Sequence, residues 1–104
     1  MILNHIFFNI SHISLFVKVV IHAYKEGRKL YYKGEFEVAP LMTLESAIIA
    51  IGKLMNEPLL EIVEDRSEYT IVVFNDKAIE FEEDRNLIVT NEDTLKLFPQ
   101  VVGG

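Results

Sequence analysis

The sequence contains no cysteine among its 104 residues. Disulfide bonds, thiolate metal sites, iron–sulfur ligation and a cysteine nucleophile are therefore excluded together. A chain without disulfides suits a reducing compartment, and we expect a cytoplasmic protein. At this length, one domain can bury roughly two-thirds of its unfolded surface without covalent cross-links.

Basic residues are also scarce. Ten lysine and arginine residues stand against sixteen aspartate and glutamate residues, which gives a net charge of −6 at pH 7. This balance argues against a nucleic-acid-binding surface and mildly favours a partner with a basic surface. The histidines, His5, His12 and His22, lack the spacing of metal ligands, so no metal site is predicted. No Ser/His/Asp set or phosphate-binding loop is recognisable, and the chain offers no catalytic side chain of its own.

Long hydrophobic runs are missing as well. The apolar stretch from Met1 to Phe16 is interrupted by polar residues, among them Asn4, His5, Asn9, Ser11 and His12, and is too short to span a membrane. It has no positive charge before Lys18 and no small-residue cleavage site, so it does not fit a signal peptide. Residues 1–16 are therefore an N-terminal extension of unassigned structure, and no membrane association is predicted.

Two alternating patterns predict an antiparallel hairpin after this extension. The apolar face of the first strand comprises Val17, Val19, Ile21 and Ala23. The inward residues of the second strand are Leu30, Tyr32, Gly34, Phe36 and Val38. Gly27 lies in the turn between the strands, where it is free to adopt a positive φ.

A single amphipathic helix is predicted to follow Pro40 and to cover one face of the sheet. Thr43 is a suitable N-cap, and Asn56-Glu57-Pro58 ends the helix. The apolar stripe comprises Leu44, Ala47, Ile48, Ile51, Leu54 and Met55. Gly52 lies within the helix, which indicates close packing against the sheet.

The second half of the domain is predicted to be mostly strand. Tyr69–Phe74 is continuously apolar at its end and therefore predicts a central strand. Ala78–Phe81 begins a return strand, whereas Leu59–Val63 is a connector of unassigned type. Leu87–Val89 is either a short strand or a bridging segment, and Asn91-Glu92-Asp93 is a turn before the last strand.

The last strand runs from Thr94 to Phe98. Leu95 and Leu97 face the core, so Phe98 should lie on the opposite face and remain partly exposed. Pro99 lacks a backbone donor, so pairing should stop there or continue only along one edge.

The segment after this strand is Pro99-Gln100-Val101-Val102-Gly103-Gly104. A disordered tail is normally poor in valine and phenylalanine, whereas the stretch from Leu95 to Gly104 contains Phe98, Val101 and Val102. Two glycines without Cβ atoms fit a channel too narrow for any side chain. Fully extended, the segment reaches roughly 20 Å. This geometry suits a carboxylate that is delivered into the active site of another protein.

These pieces resemble the MoaD/ThiS-like sulfur carriers, that is, the small subunit of molybdopterin synthase and the thiamine-pathway sulfur carrier. The matching motifs are Val73-Phe74-Asn75, Asn91-Glu92-Asp93, Leu95-Lys96-Leu97-Phe98-Pro99, and Val101 or Val102 before Gly103-Gly104. The Phe-Pro-x-Val-x-Gly-Gly ending is the most specific of these and is closest to the molybdopterin synthase subunit. The resemblance implies an α+β ubiquitin-like β-grasp fold, with a mixed sheet of four to five strands wrapped on one main helix. It places the β-grasp domain at residues 17–98 and a flexible tail at residues 99–104.

The sequence departs from the family pattern at three positions. Glu92 stands where the family has a glycine in the turn before the last strand. Asn75-Asp76-Lys77 replaces a hairpin that usually contains glycine, and Gln100 stands where a second proline is frequent. These departures concern turn chemistry and leave the Gly-Gly ending unchanged.

The resemblance implies a carrier without a bound cofactor. A partner adenylyltransferase, related to ubiquitin-activating enzymes, would use ATP to adenylate the carboxylate of Gly104. Sulfur transfer would then give a thiocarboxylate for an acceptor such as the molybdopterin synthase large subunit. Gly103 and Val102 would form the threading tail, and Phe98, Pro99 and Val101 would contact the partner.

Two other functions fit the same sequence. A ubiquitin-like modifier would be joined to lysines of other proteins through Gly104. Within the carrier hypothesis itself, the pathway could instead be tRNA thiolation or thiamine synthesis. A passive β-grasp interaction module would need no activation, because a fold does not determine a function. The iron–sulfur ferredoxins share the β-grasp fold but use cysteine ligands, so they are excluded.

Overall fold

The computed structural model describes residues 15–65 and 69–100. In chain order the elements are β1 (Leu15–Lys25), β2 (Arg28–Val38), α1 (Leu44–Met55), α2 (Leu59–Glu64), β3 (Thr70–Phe74), β4 (Lys77–Ile79), α3 (Phe81–Asp84) and β5 (Thr94–Pro99). The strands form one sheet in the order β2-β1-β5-β3-β4. β1 and β5 are parallel, whereas the other neighbouring pairs are antiparallel. This strand order, with α1 packed across the sheet, is the ubiquitin-like β-grasp fold, and the predicted fold class is confirmed.

The first hairpin forms as its alternating pattern predicts. Every residue of β1 pairs with one of β2, from Leu15 opposite Val38 to Lys25 opposite Arg28. The two turn residues, Glu26 and Gly27, have φ values of 52° and 77°, as a tight type I′ turn requires. The four apolar residues predicted to face inward from β1 are all buried, and so are three of the five from β2. The inward face of the hairpin thus supplies seven of the eighteen buried hydrophobic residues of the described core.

Helix α1 packs its apolar stripe against the inner face of the sheet. Its N-cap is Thr43, whose side-chain oxygen accepts a hydrogen bond from the backbone N–H of Ser46 at 3.1 Å. The stripe is confirmed for Leu44, Ala47, Ile48 and Ile51, which are at most 1% exposed. Met55 is half-buried. The prediction is wrong for Leu54, which is 71% exposed, because the sheet covers a narrower arc of the helix than the sequence stripe suggests.

The close approach at Gly52 is made by the returning chain and not by the sheet. A Cβ atom on Gly52 would lie 2.7 Å from the carbonyl oxygen of Glu57 and 3.3 Å from the Cβ of Leu59. Asn56 adopts a left-handed conformation and caps the helix end. Gly52 therefore permits a tight reversal from α1 into α2, a helix that the sequence left unassigned.

Two predictions for the second half are corrected. Phe81 begins the short helix α3 and is buried there, so the return strand ends at Ile79. The expectation of a single helix is likewise wrong, since α2 and α3 are additional short helices.

β3 pairs on both sides, but Ile71 and Val73 are only half-buried. Its continuous apolar run therefore includes half-buried residues on the outer face and does not reflect full burial on both faces. Ile88 forms a bridge to Thr43, one of the two alternatives for that segment.

Arg85 joins three elements of the helical side. Its guanidinium contacts the carboxylates of Glu45 in α1, Glu64 in α2 and Glu82 in α3, at 2.9, 3.0 and 3.3 Å. It also lies 5.0 Å above the ring centroid of Phe81, within the range of a cation–π contact. The hydrogen bonds from Arg85 hold the pKa of Glu45 below its ordinary value of 4.5, and those to Glu45 and Glu64 raise the pKa of Arg85.

Substitution Arg85→Gln should destabilise the fold in a pH-dependent way. Because the pKa of Glu45 is lower in the folded state, the interaction contributes above the ordinary pKa and is lost as the pH falls through the depressed one. The difference in unfolding free energy between the two proteins should therefore shrink below about pH 4.5. Urea denaturation across a pH series measures it. The control is Lys77→Gln, an exposed lysine with no described ion pair, for which a similar pH-dependent loss would contradict this explanation.

Candidate functional site

Strand β5 carries the chain from the centre of the sheet toward the C-terminal residues. It is parallel to β1 from Thr94 to Leu97 and antiparallel to β3 as far as Pro99. The N–H of Gln100 then donates to the carbonyl oxygen of Tyr69 at 2.9 Å. Alternate residues direct their N–H groups to opposite sides, so the nitrogen of Pro99 faces the β1 side, where pairing has already ended. Pairing beyond Pro99 thus continues along one edge only, as predicted.

Phe98 lies on the outer face of the sheet, opposite the helices. Its neighbours in sequence, Leu97 and Leu95, are buried, whereas Phe98 is half-buried. Its ring stacks on His22 of β1, with centroids 5.9 Å apart and an interplanar angle of 20°. His22 in turn meets the ring of Tyr31 edge-on at 4.7 Å. The predicted position of Phe98 is confirmed, and its role in partner binding stays a prediction.

These rings form a row across the outer face. Ile71 of β3 lies directly opposite Phe98 and is also half-buried, while Tyr31 at the other end is 58% exposed. We call the three rings of Tyr31, His22 and Phe98, together with the aliphatic Ile71 at their end, the outer aromatic row. Aromatic side chains that remain accessible beside a chain segment are typical of partner-binding surfaces. The sequence did not predict that His22 and Tyr31 belong to this row. Only the parallel pairing of β1 with β5 brings His22, and Tyr31 beyond it, next to Phe98.

The outer face next to the row is basic despite the acidic net charge. Lys18, Lys33 and Lys96 surround Val20, with Glu35 beside them, and together they border a shallow hollow of about 380 Å³. Lys96 is 3.9 Å from the carboxylate of Asp76. The acidic residues contacted by Arg85 lie on the opposite, helical side. The three lysines therefore place local positive charge beside the row, whereas the kind of partner stays a prediction.

The turn before β5 is held by a pair of side chains that the sequence did not reveal. The amide nitrogen of Asn75 donates to Asp93 Oδ1 at 3.0 Å, and its oxygen accepts from the N–H of Thr94 at 2.8 Å. Asp93 Oδ2 accepts from the N–H of Thr90 at 2.7 Å. These bonds fix the start of β5 relative to the β3–β4 turn. The available signal was the presence of Asn and Asp in both turns.

The departures from the family pattern have a conformational consequence. Glu92, at the family's glycine position, has φ = 69°, and Asn75 and Asp76 have φ values of 51° and 67°. The backbone thus keeps the left-handed geometry that glycine favours, although the residues are different. Asn and Asp tolerate this region well, whereas glutamate does so less readily.

The remaining predicted site residues, Val101, Val102, Gly103 and Gly104, lie outside the described residues. So do residues 1–14 of the N-terminal extension, whereas β1 already begins at Leu15. Within residues 15–65 and 69–100, no group of three or more His, Asp or Glu side chains is arranged to hold a metal ion. None of the helices described there has the length and apolar character needed to cross a membrane.

Ubiquitin-like proteins are among the solved structures to which this chain is similar. No family model matches the sequence, and no curated protein matches it significantly. A ubiquitin of Caldiarchaeum subterraneum is 21% identical, covers 88% of this chain and 99% of its own, and has a TM-score of 0.47. A ubiquitin-like protein from the same archaeon is 20% identical, with 86% and 100% coverage and a TM-score of 0.43. A designed protein based on ubiquitin is 24% identical, with 86% and 93% coverage and a TM-score of 0.44. Because these TM-scores are low, the fold assignment rests on the strand order.

Proposed function

We propose that this chain is a sulfur carrier whose Gly104 carboxylate is activated by an adenylyltransferase and converted to a thiocarboxylate. The observation that carries the proposal is the course of β5. A strand held in the centre of a β-grasp sheet leads past Phe98 and Pro99 directly into Val-Val-Gly-Gly. The motif resemblance to the small subunit of molybdopterin synthase favours molybdopterin synthesis as the pathway.

The chemistry assigned to the chain needs no catalytic side chain. A carboxylate is a poor electrophile, because its oxygen is a poor leaving group. Attack of the Gly104 carboxylate on the α-phosphate of ATP releases pyrophosphate and gives an acyl adenylate. A sulfur nucleophile then displaces AMP, and the carbonyl carbon keeps the sulfur. The carrier supplies position, and a misplacement of 1 Å can cost about a hundredfold in rate.

The sheet is suited to holding that position. β5 is hydrogen-bonded on both sides up to Leu97, and the Asn75–Asp93 pair fixes its start. Beyond Leu97 the β1 side of the strand has no partner within the described residues. The activating enzyme can therefore pair with the backbone of the tail in strand-addition style. The outer aromatic row would supply apolar contacts beside it.

The test uses a chain that ends at Gly104, ATP, a sulfur source and an adenylyltransferase from the same organism. Intact mass should increase by the difference between sulfur and oxygen. Omission of ATP should abolish the increase. If activation instead gives covalent conjugates to lysines of other proteins and no thiocarboxylate, the chain is a ubiquitin-like modifier. Absence of both products contradicts activation altogether.

Substitution Phe98→Ala should weaken binding to the activating enzyme by roughly tenfold or more, since buried aromatic contacts dominate interface energies. The melting temperature should fall little, because Phe98 lies on the outer face. Isothermal titration and thermal melting measure the two effects. The matched control is Leu54→Ala, which truncates another exposed apolar residue on the helical side. A large loss of stability with unaltered binding would identify Phe98 as a structural residue only.

A further inference from the structure

Strand β2 forms one edge of the sheet and is long for an edge strand. All eleven of its residues pair with β1 in unbroken register, and no other described strand lies beside it. Natural edge strands are usually shortened, bulged, interrupted by proline or lined with charged side chains, which discourages pairing with another chain. Between Arg28 and Val38, β2 has no proline and no bulge, but it does carry charged side chains of both signs, so their arrangement decides whether a second strand can pair.

The hairpin geometry determines which backbone groups face the open side. In a two-residue hairpin the residues flanking the turn, here Lys25 and Arg28, form a hydrogen-bonded pair. Hydrogen-bonded pairs then recur at every second position, so the even-numbered residues of β2 bond to β1. The N–H and C=O groups of Tyr31, Lys33 and Glu35 consequently point to the open side.

The charges along this edge are self-complementary. Lys33 and Glu35 are both exposed on the outer face and flank Gly34, and neither has a described ion pair. If a second β2 pairs antiparallel with a two-fold axis at Gly34, Lys33 of each copy lies opposite Glu35 of the other. Both are open-side residues, so each such pair exchanges two backbone hydrogen bonds. Shifting the axis to Lys33 or to Glu35 places like charges directly opposite each other, which is unfavourable.

The inner face of the same register is also complementary. With the axis at Gly34, Tyr32 of one copy lies opposite Phe36 of the other. Both rings are already partly covered by their own core, with Phe36 7% exposed. Their remaining exposed edges meet without a clash of charge, so the inner face does not oppose this register. At the axis itself Gly34 brings no side chain, and the ring of Tyr32 lies over its Cα.

We propose that a second copy of this chain pairs antiparallel along β2, with the two-fold axis at Gly34, and joins the two sheets into one. The open backbone groups supply the hydrogen bonds, and the Lys33–Glu35 pairs select the register. This surface lies on the opposite edge of the hairpin from β5. The interaction is therefore independent of the proposed carrier function and leaves the end of β5 at Phe98 and Pro99 uncovered by the second copy.

Charge exchange tests the proposal on the full chain by sedimentation equilibrium over a concentration series. The wild type should form dimers. Lys33→Glu alone and Glu35→Lys alone each place like charges opposite each other twice and should weaken dimerisation on the order of tenfold. An equimolar mixture of these two variants should restore association as a heterodimer, because both cross-pairs then have opposite charges. The double variant Lys33→Glu/Glu35→Lys should dimerise like the wild type.

Amide hydrogen exchange provides a second measurement that requires no substitution. The amides of Lys33 and Glu35 should become protected as the concentration of the wild type increases. The proposal is overturned if the wild type is monomeric throughout, or if both single variants dimerise like the wild type. It is also overturned if these amides are protected equally at the lowest concentration, because another part of the same chain, such as residues 1–14, would then cover the edge.

Discussion

A chain that lacks Gly104 should be thiolated at least about a hundredfold more slowly than a chain that ends at Gly104. The deletion moves the reactive carbon by about one residue length, roughly 3.5 Å. A displacement of even 1 Å can cost about a hundredfold when a reaction depends on position. The rate is measured by intact mass after incubation with ATP, the adenylyltransferase and a sulfur source.

Two further variants separate position from bulk. Gly103→Val keeps the length but adds a branched side chain, which a narrow channel would exclude. One residue added after Gly104 keeps both glycines, but it converts the Gly104 carboxylate into a peptide bond and moves the free carboxylate one residue further along the chain. Both should be as damaging as the deletion, whereas Leu54→Ala should react like the wild type. If the chain lacking Gly104 is thiolated as readily as the full chain, the carrier function is refuted.

Ile51→Ala should lower the unfolding free energy by roughly 2–5 kcal/mol, the usual range for truncating a fully buried isoleucine. Ile51 is 1% exposed and faces the sheet from the middle of α1, so the surrounding side chains cannot close the cavity without moving the helix. Chemical denaturation measures the change. The thiolation of the variant should persist at temperatures where it remains folded, since Ile51 is not among the residues proposed to take part in activation.

The control for Ile51 lies three residues further along the same helix. Leu54→Ala removes a similar apolar side chain, but Leu54 is 71% exposed, so the unfolding free energy should change by no more than about 0.5 kcal/mol. Equal losses for the two variants would mean that burial against the sheet does not decide the effect, since alanine favours the helix at both positions. A loss below a few tenths of a kcal/mol at Ile51 would contradict the assigned packing.

The elements with a clear repeat were predictable because their periodicity reports which side of each element is covered. The alternation of β1, β2 and β5 gave the buried faces correctly, and the position of Phe98 followed from that of Leu95 and Leu97. Short elements were less predictable. α2 and α3 have six and four residues, too few turns for a helical repeat to stand out. The apolar run of β3 is compatible with burial on one face or on both, and only the half-buried state of Ile71 and Val73 in the structure distinguishes the two.

The candidate site divides in the same way. Its reactive end was recognisable from a local motif, Phe-Pro followed by valines and Gly-Gly. Its surroundings were not, because His22 and Phe98 are 76 positions apart and meet only where β1 runs parallel to β5. The Asn75–Asp93 pair likewise joins the turn after β3 to the turn before β5, 18 positions further along the chain.

The sequence by itself determined the hairpin, the main helix, the last strand and the face on which Phe98 lies, since each depends on contacts within a few residues or on a regular repeat. The tertiary structure alone decided the strand order, the grouping of Lys18, Lys33 and Lys96 on the outer face, the aromatic neighbours of Phe98 and the edge position of β2 in the described sheet. These features depend on which strands lie side by side. That choice is made by packing of the whole core on α1, a balance of many long-range contacts that no single segment encodes.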